Sequence, residues 1–174
     1  MKYAMRLLCL VPAALLLLLA SETKTDYRHS TDFSRYKTYS WMKVEAENSL
    51  WTDRIQRYVE AELATKGWQK VSAGGDASVA AVGSTKNQQR LETFYSGFGD
   101  GWFWRGLDDG VATTTVEDIP IGSLIVDIFD SGSKTLIWRG SGEKALSGDP
   151  KKNQKKLRDI VAEMFKHFPP PAKG

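Results

Sequence analysis

The segment Gly122–Leu146, GSLIVDIFDSGSKTLIWRGSGEKAL, decides the fold of this chain. Leu124, Val126 and Ile128 alternate with Ile125, Asp127 and Phe129, the period of two that a strand imposes on its side chains. Ser131-Gly132-Ser133-Lys134 then supplies turn residues, and Thr135 to Trp138 resume an apolar strand. The segment therefore predicts a β-hairpin.

On the C-terminal side, Asp149-Pro150 has the N-cap and N1 chemistry that opens a helix. Leu157, Ile160, Val161, Met164, Phe165 and Phe168 follow at helical spacing and make one apolar face, which Pro169–Pro171 terminates. On the N-terminal side, Ala77–Val82 is a small-residue apolar run that reads as a buried strand, reached from Trp68–Val71 through an Ala-Gly-Gly-Asp turn. Before it, Thr52 is the expected cap of a helix carrying Ile55, Tyr58, Val59 and Leu63 on one face and ending at Lys66-Gly67. Asp32–Trp41, DFSRYKTYSW, has the aromatic and Thr content of a first strand.

Residues 83–120 are the least regular, with expected strands at Arg90–Tyr95 and Val111–Val116 flanking a Gly-aromatic loop. The order strand, helix, several strands, helix predicts an α+β two-layer sandwich, a mostly antiparallel sheet with two helices on one face. No internal repeat is visible.

The N-terminus has Lys2 and Arg6, an apolar run from Leu7 to Leu19, and Ala20 before the polar SETKTD. That is the pattern of a secretory signal cleaved after Ala20. The alternative, an uncleaved anchor, needs about 20 apolar residues, more than the run offers. The expected organisation is a signal peptide at 1–20, a polar lead at 21–30, one domain at 31–169 and a tail at 170–174. With residues 1–20 go two of the 24 Lys+Arg residues and none of the 21 Asp+Glu, so the exported part has a net charge of about +1. A chain so nearly neutral gives no electrostatic argument for nucleic acid. Its only cysteine, Cys9, lies inside the apolar run, which excludes an internal disulfide or a thiolate metal site in the exported part. Cys9 also comes too early, and too close to Arg6, to serve as a lipid-attachment residue.

DFSRYKTYSW, the helix ending TKGW, the Gly-aromatic middle, GSLIVDIFDSGSKTLIWRGSG and a last helix ending MFKHFPP together resemble the bacterial domain-of-unknown-function family 4136 over about residues 26–170. The most specific piece is the hairpin with Asp127, Asp130 and Trp138-Arg139-Gly140. The resemblance implies an extracytoplasmic α+β domain like the envelope lipoproteins of that family, with no established activity and no catalytic residues to carry over. The missing lipidation cysteine departs from the family and favours a soluble periplasmic form.

Residues that could carry chemistry are few. His29 and His167 lie far apart in unlike settings, and no serine sits in a nucleophile elbow. Gly97-Phe98-Gly99-Asp100-Gly101 lacks the strand and helix that a phosphate-binding loop requires. Asp108-Asp109-Gly110 lacks the alternating ligands of a calcium loop, and no metal or cofactor is expected. The block from Phe94 to Trp104 stands out, with Tyr95, Phe98, Trp102 and Phe103 set among glycine and serine. So many rings are costly to leave in water at about 25 cal/mol per Å² of apolar area. Two readings follow: the block covers the open sheet face, or Phe98, Trp102, Phe103 and Trp104 form an apolar binding lip. Lys151, Lys155 and Arg158 line one side of the last helix, either as a solvated face or as a contact for anionic membrane lipid.

The expected function is a non-enzymatic periplasmic or cell-envelope binding or scaffolding module, its partner an unidentified envelope protein, glycan or lipid. The alternative is an enzyme acting on an envelope glycan through carboxylates such as Asp108, Asp109, Asp127 and Asp130.

Overall fold

The computed structural model describes residues 22–84, 122–144 and 146–171. Strands β1 (Glu22–Tyr27), β2 (Thr38–Glu45), β3 (Gln69–Lys70), β4 (Ala77–Ser84), β5 (Ser123–Asp130) and β6 (Leu136–Glu143) form one sheet in the order β1-β6-β5-β4-β2-β3. Helix α1 (Ser49–Thr65) connects β2 to β3, and helix α2 (Pro150–Phe165) follows β6. The β1-β6-β5-β4 part is antiparallel, whereas β2 runs parallel to both β4 and β3. The α1 crossover makes that parallel pairing possible, because adjacent parallel strands need a long return connection.

Both helices pack on one face. Ile55, Val59 and Leu63 of α1 join Leu157, Ile160, Val161 and Met164 of α2 over Val79, Val126 and Ile128 in one buried cluster. This is the two-layer α+β arrangement expected from the hydrophobic periodicity. The opposite face of the sheet is also closed to solvent, with Ala80, Val82, Ile125, Phe129 and Leu136 in a second apolar cluster. Burial on both sides explains why β5 reads as an almost continuous apolar run.

Two glycines of β6 set the distance between helix and sheet. A Cβ on Gly140 would lie 2.5 Å from the Trp138 ring and 3.2 Å from Met164, and one on Gly142 would lie 2.6 Å from Ile160. Only glycine lets α2 approach this closely. The hairpin predicted over 122–146 is present, as are the Asp149 cap and Pro150 at the start of α2.

Three local expectations are corrected. The polar lead at 21–30 contains β1, which pairs along its length with β6. Its polar residues are those of an edge strand, so composition alone hid the pairing. Asp32–Trp41 does not form one strand: Phe33–Arg35 is a 3₁₀ turn capped by Asp32, and β2 begins at Thr38 and runs on to Glu45. Phe33 and Tyr36, three residues apart, are brought by this turn into one buried cluster, whereas an extended strand would point them to opposite faces. Helix α1 begins earlier than Thr52, with Asn48 accepting the Trp51 amide at 3.2 Å. The strands expected at 90–95 and 111–116 lie outside the described residues.

Candidate functional site

A cleft lies where the end of β1 and the 3₁₀ turn meet the β5–β6 turn. Local capping shapes both walls. On one side, Asp32 Oδ1 accepts the Ser34 amide at 3.0 Å and the Ser34 hydroxyl at 2.6 Å, while the Thr31 amide donates to the Arg28 carbonyl at 3.0 Å. On the other, Asp130 Oδ1 accepts the Ser133 amide at 2.6 Å and the Ser133 hydroxyl at 2.7 Å. Lys134 takes a left-handed conformation, φ 57°, and the Asp130 amide donates to the Thr135 carbonyl at 2.9 Å to close the turn.

Tyr36 ties the walls together. Its hydroxyl donates to Asp130 Oδ2 at 2.8 Å, while its ring stacks on Trp68 at 5.8 Å between centroids. Burial and the Asp130 carboxylate raise the Tyr36 pKa well above its ordinary 10, so the phenol stays a donor. Burial also works to raise Asp130, but the bonds from Ser133 and Tyr36 outweigh it and hold the carboxyl below the ordinary 3.8. Asp32 is lowered as well, chiefly by the Ser34 hydroxyl and amide.

The cleft between these walls has a volume of about 400 Å³ and is lined by Arg28, Arg35, Tyr36, Asp130 and Ser133 with neighbouring hydroxyl residues. That falls in the ~300–1,000 Å³ range of small-molecule sites. Both oxygens of Asp130 and Oδ1 of Asp32 accept from neutral donors, and neither Arg28 nor Arg35 is within ion-pair distance of a carboxylate among the described residues, although the Arg35 charge is near enough to help lower both acids. Arg28 Nε is buried and meets no acceptor. The cleft can therefore offer positive charge and hydroxyl groups to a ligand, beside the exposed carboxylate of Asp32.

Asp127 is elsewhere. It is fully buried on the sheet face away from the helices, and both of its oxygens are held by Arg139, Nε to Oδ1 and Nη2 to Oδ2, each at 2.6 Å. Asp127 and Asp130 thus point into different surroundings and do not converge as a catalytic pair. Lys151, Lys155 and Arg158 are exposed on the N-terminal half of α2, with Lys155 reaching Asp159 at 3.6 Å. They lie at the other end of the sheet from the cleft, beside a smaller apolar cavity of about 60 Å³ lined by Trp51, Ile55, Leu146 and Leu157. Phe98, Trp102, Phe103, Trp104, Asp108 and Asp109 lie outside the described residues. His29 and His167 are both exposed, His29 resting edge-on against Tyr27 at 4.5 Å.

Arg28, Arg35 and Tyr36 are the residues that sequence reasoning passed over. The available signal was two arginines seven positions apart in a run of hydroxyl residues, YRHSTDFSRY. Nothing local announces that Asp130 and Ser133 will face them. Among the described residues, no group of three His, Cys, Asp or Glu side chains is placed to hold a metal ion, and no helix is long and apolar enough to cross a membrane.

The profile of a family described as a domain of unknown function, DUF4136, matches residues 23–170. No curated protein matches the chain. Among solved structures, a PDZ domain protein from Parabacteroides distasonis is similar with a TM-score of 0.56 and 15% identity over 87% of this chain, which spans 36% of that protein. A PelC dodecamer from Paraburkholderia phytofirmans gives a TM-score of 0.50 at 7% identity, covering 82% of this chain and 95% of that one. A minor lipoprotein from Acinetobacter baumannii gives 0.33 at 11% identity, covering 76% and 92%. At these identities the first two likenesses establish a shared fold.

Proposed function

Since the chain belongs to the DUF4136 family, whose function is unknown, we propose its role from its own residues: an exported cell-envelope module that binds a ligand or partner and does not turn it over. Export is supported by the basic start, apolar run and Ala20 of the leader. The binding reading is carried by one observation: a cleft of about 400 Å³ in which both oxygens of Asp130 and Oδ1 of Asp32 are already committed to internal donors. General acid–base chemistry needs a carboxyl free to exchange a proton with substrate. Asp127, locked by Arg139, is equally unsuited.

Two further surfaces add to the module. Lys151, Lys155 and Arg158 give α2 an exposed basic side that attracts anionic membrane lipid, at about 1 kcal/mol or less per residue. Phe98, Trp102, Phe103 and Trp104 supply apolar contacts to an envelope glycan, lipid or protein.

The test is sedimentation of the purified protein with isolated envelope material, with soluble glycan fragments measured in the same samples. Retention without fragment release is expected. Release that Asp130→Asn abolishes in a folded variant would replace the binding reading with the carboxylate enzyme.

A further inference from the structure

We propose that the cleft between the 3₁₀ turn and the β5–β6 turn is an oxyanion site, with Arg28 and Arg35 gripping a carboxylate or phosphate carried on a small hydroxylated ligand. The assignment rests on the reading of the domain as a binding module and names what the cleft takes.

The argument begins with charge. Arginine stays protonated at any physiological pH and presents donors in a planar fork that matches an oxyanion. Elsewhere in the described sheet this chain pairs such a group internally: Arg139 is closed bidentately on Asp127 at 2.6 Å. In the cleft, Asp32 and Asp130 feel the Arg35 charge, yet neither closes on Arg28 or Arg35 as a direct ion pair among the described residues. Asp130 accepts from Tyr36 and twice from Ser133, and Asp32 accepts twice from Ser34.

The second observation is Arg28 itself. Its backbone is fixed, the amide donating to the Ile137 carbonyl at 2.9 Å, so the side chain emerges from an ordered position at the end of β1. Its Nε is out of contact with solvent and has no acceptor. A buried donor without a partner is destabilising, and native structures rarely leave one unexplained. Arg28 lines the cleft, so an oxyanion bound there is the acceptor we assign to it.

Size and polarity then narrow the ligand. About 400 Å³ accommodates a sugar-sized body, and Ser30, Thr31 and Thr135 add hydroxyl groups to the lining. The fixed Asp32 and Asp130 carboxylates face the same space and would repel a ligand carrying several negative charges close together. The chemistry is thus one oxyanion on a neutral hydroxylated frame.

The experiment is an NMR titration of the purified protein with three probes: galacturonate, inorganic phosphate and neutral galactose. Galacturonate or phosphate should shift the amides of Arg28, Arg35 and Ser133, and which of the two binds more tightly identifies the oxyanion. Arg35→Gln, at an exposed side chain that the fold does not need, should weaken the response about tenfold, and Arg28→Gln by at least as much. Arg57→Gln, an equal loss of charge on the exposed side of α1, should leave it unchanged. The proposal falls if galactose binds as well as galacturonate, if neither anion shifts these amides, or if Arg57→Gln weakens binding as much as Arg35→Gln. Retention of the protein on envelope material without anion binding would overturn the oxyanion assignment while leaving the binding module in place.

Discussion

Asp127 and Arg139 face each other across β5 and β6, register partners whose side chains close into a bidentate pair with both bonds at 2.6 Å. Asp127 is completely buried and the Arg139 side chain is 17% exposed, so the pair sits on the closed face of the sheet beside Ile125, Phe129 and Leu136. Removing one partner strands the other charge. Asp127→Ala should cost about 3–5 kcal/mol in urea unfolding, whereas Asp127→Leu combined with Arg139→Met should recover most of it, because the neighbouring side chains are apolar. A double variant as unstable as the single one would show that the site requires charge.

Space beneath α2 gives a second prediction. Gly140→Ala places a methyl 2.5 Å from the buried Trp138 ring and should lower stability by about 1–3 kcal/mol. Gly148→Ala meets nothing within 4 Å and should stay within about 0.5 kcal/mol of the parent. Thermal melts of the two variants compare them directly.

Acid should loosen the start of β2. Asp76 accepts the amides of Lys37 and Thr38 at 2.9 and 2.8 Å and the Thr38 hydroxyl at 2.9 Å. The two amides, followed by the hydroxyl, hold its pKa below the ordinary 3.8. A carboxyl lowered by folding stabilises the native state above its unfolded pKa and loses that contribution as pH falls through the folded value. Asp130 has the same sign. Denaturation midpoints should therefore drop below about pH 4, and Asp76→Asn, less stable at pH 6, should show a shallower acid slope. An unchanged slope would remove Asp76 from the acid response.

The orientation of α2 is tested by two charges. Val161 is 0% exposed in the core, whereas Lys155 is 71% exposed. Val161→Asp should unfold the domain, since an unpaired buried carboxylate has neither water nor a counter-ion. Lys155→Asp should shift the melting temperature only slightly. Equal midpoints would mean that the helix presents a different face to the sheet.

For the aromatic block, Trp102→Ala with Trp104→Ala should reduce retention on envelope material by more than tenfold while leaving the melting temperature within a few degrees, as rings of an interface behave. Loss of stability with retention unchanged would assign these rings to the fold.

What the sequence by itself determined is local. Alternation in Leu124–Phe129 and the SGSK turn place the hairpin, Asp149-Pro150 starts α2, Gly67 in a left-handed conformation ends α1, and the spacing of Ile160, Val161 and Met164 gives the buried face. Each depends on residues within a few positions of one another, where backbone sterics and hydrophobic period act directly. The family signature WRG is legible for the same reason, and the fold explains it: Trp138 fills the core, Arg139 holds Asp127, and Gly140 lets α2 approach.

Tertiary structure alone decided the rest. The polar TKTDY of β1 carries no apolar stripe, and it becomes a strand because the edge of β6 offers unpaired backbone groups more than 100 residues later in the chain. Phe33 and Tyr36 leave the extended pattern because the aromatic cluster with Trp68 and Phe168 draws both into the core, as only a tight turn allows. The cleft follows from those two events. Arg28 and Arg35 meet Asp130 and Ser133 only because β1 docks beside β6, a long-range pairing whose energy lies in the assembled sheet and in no local stretch of residues.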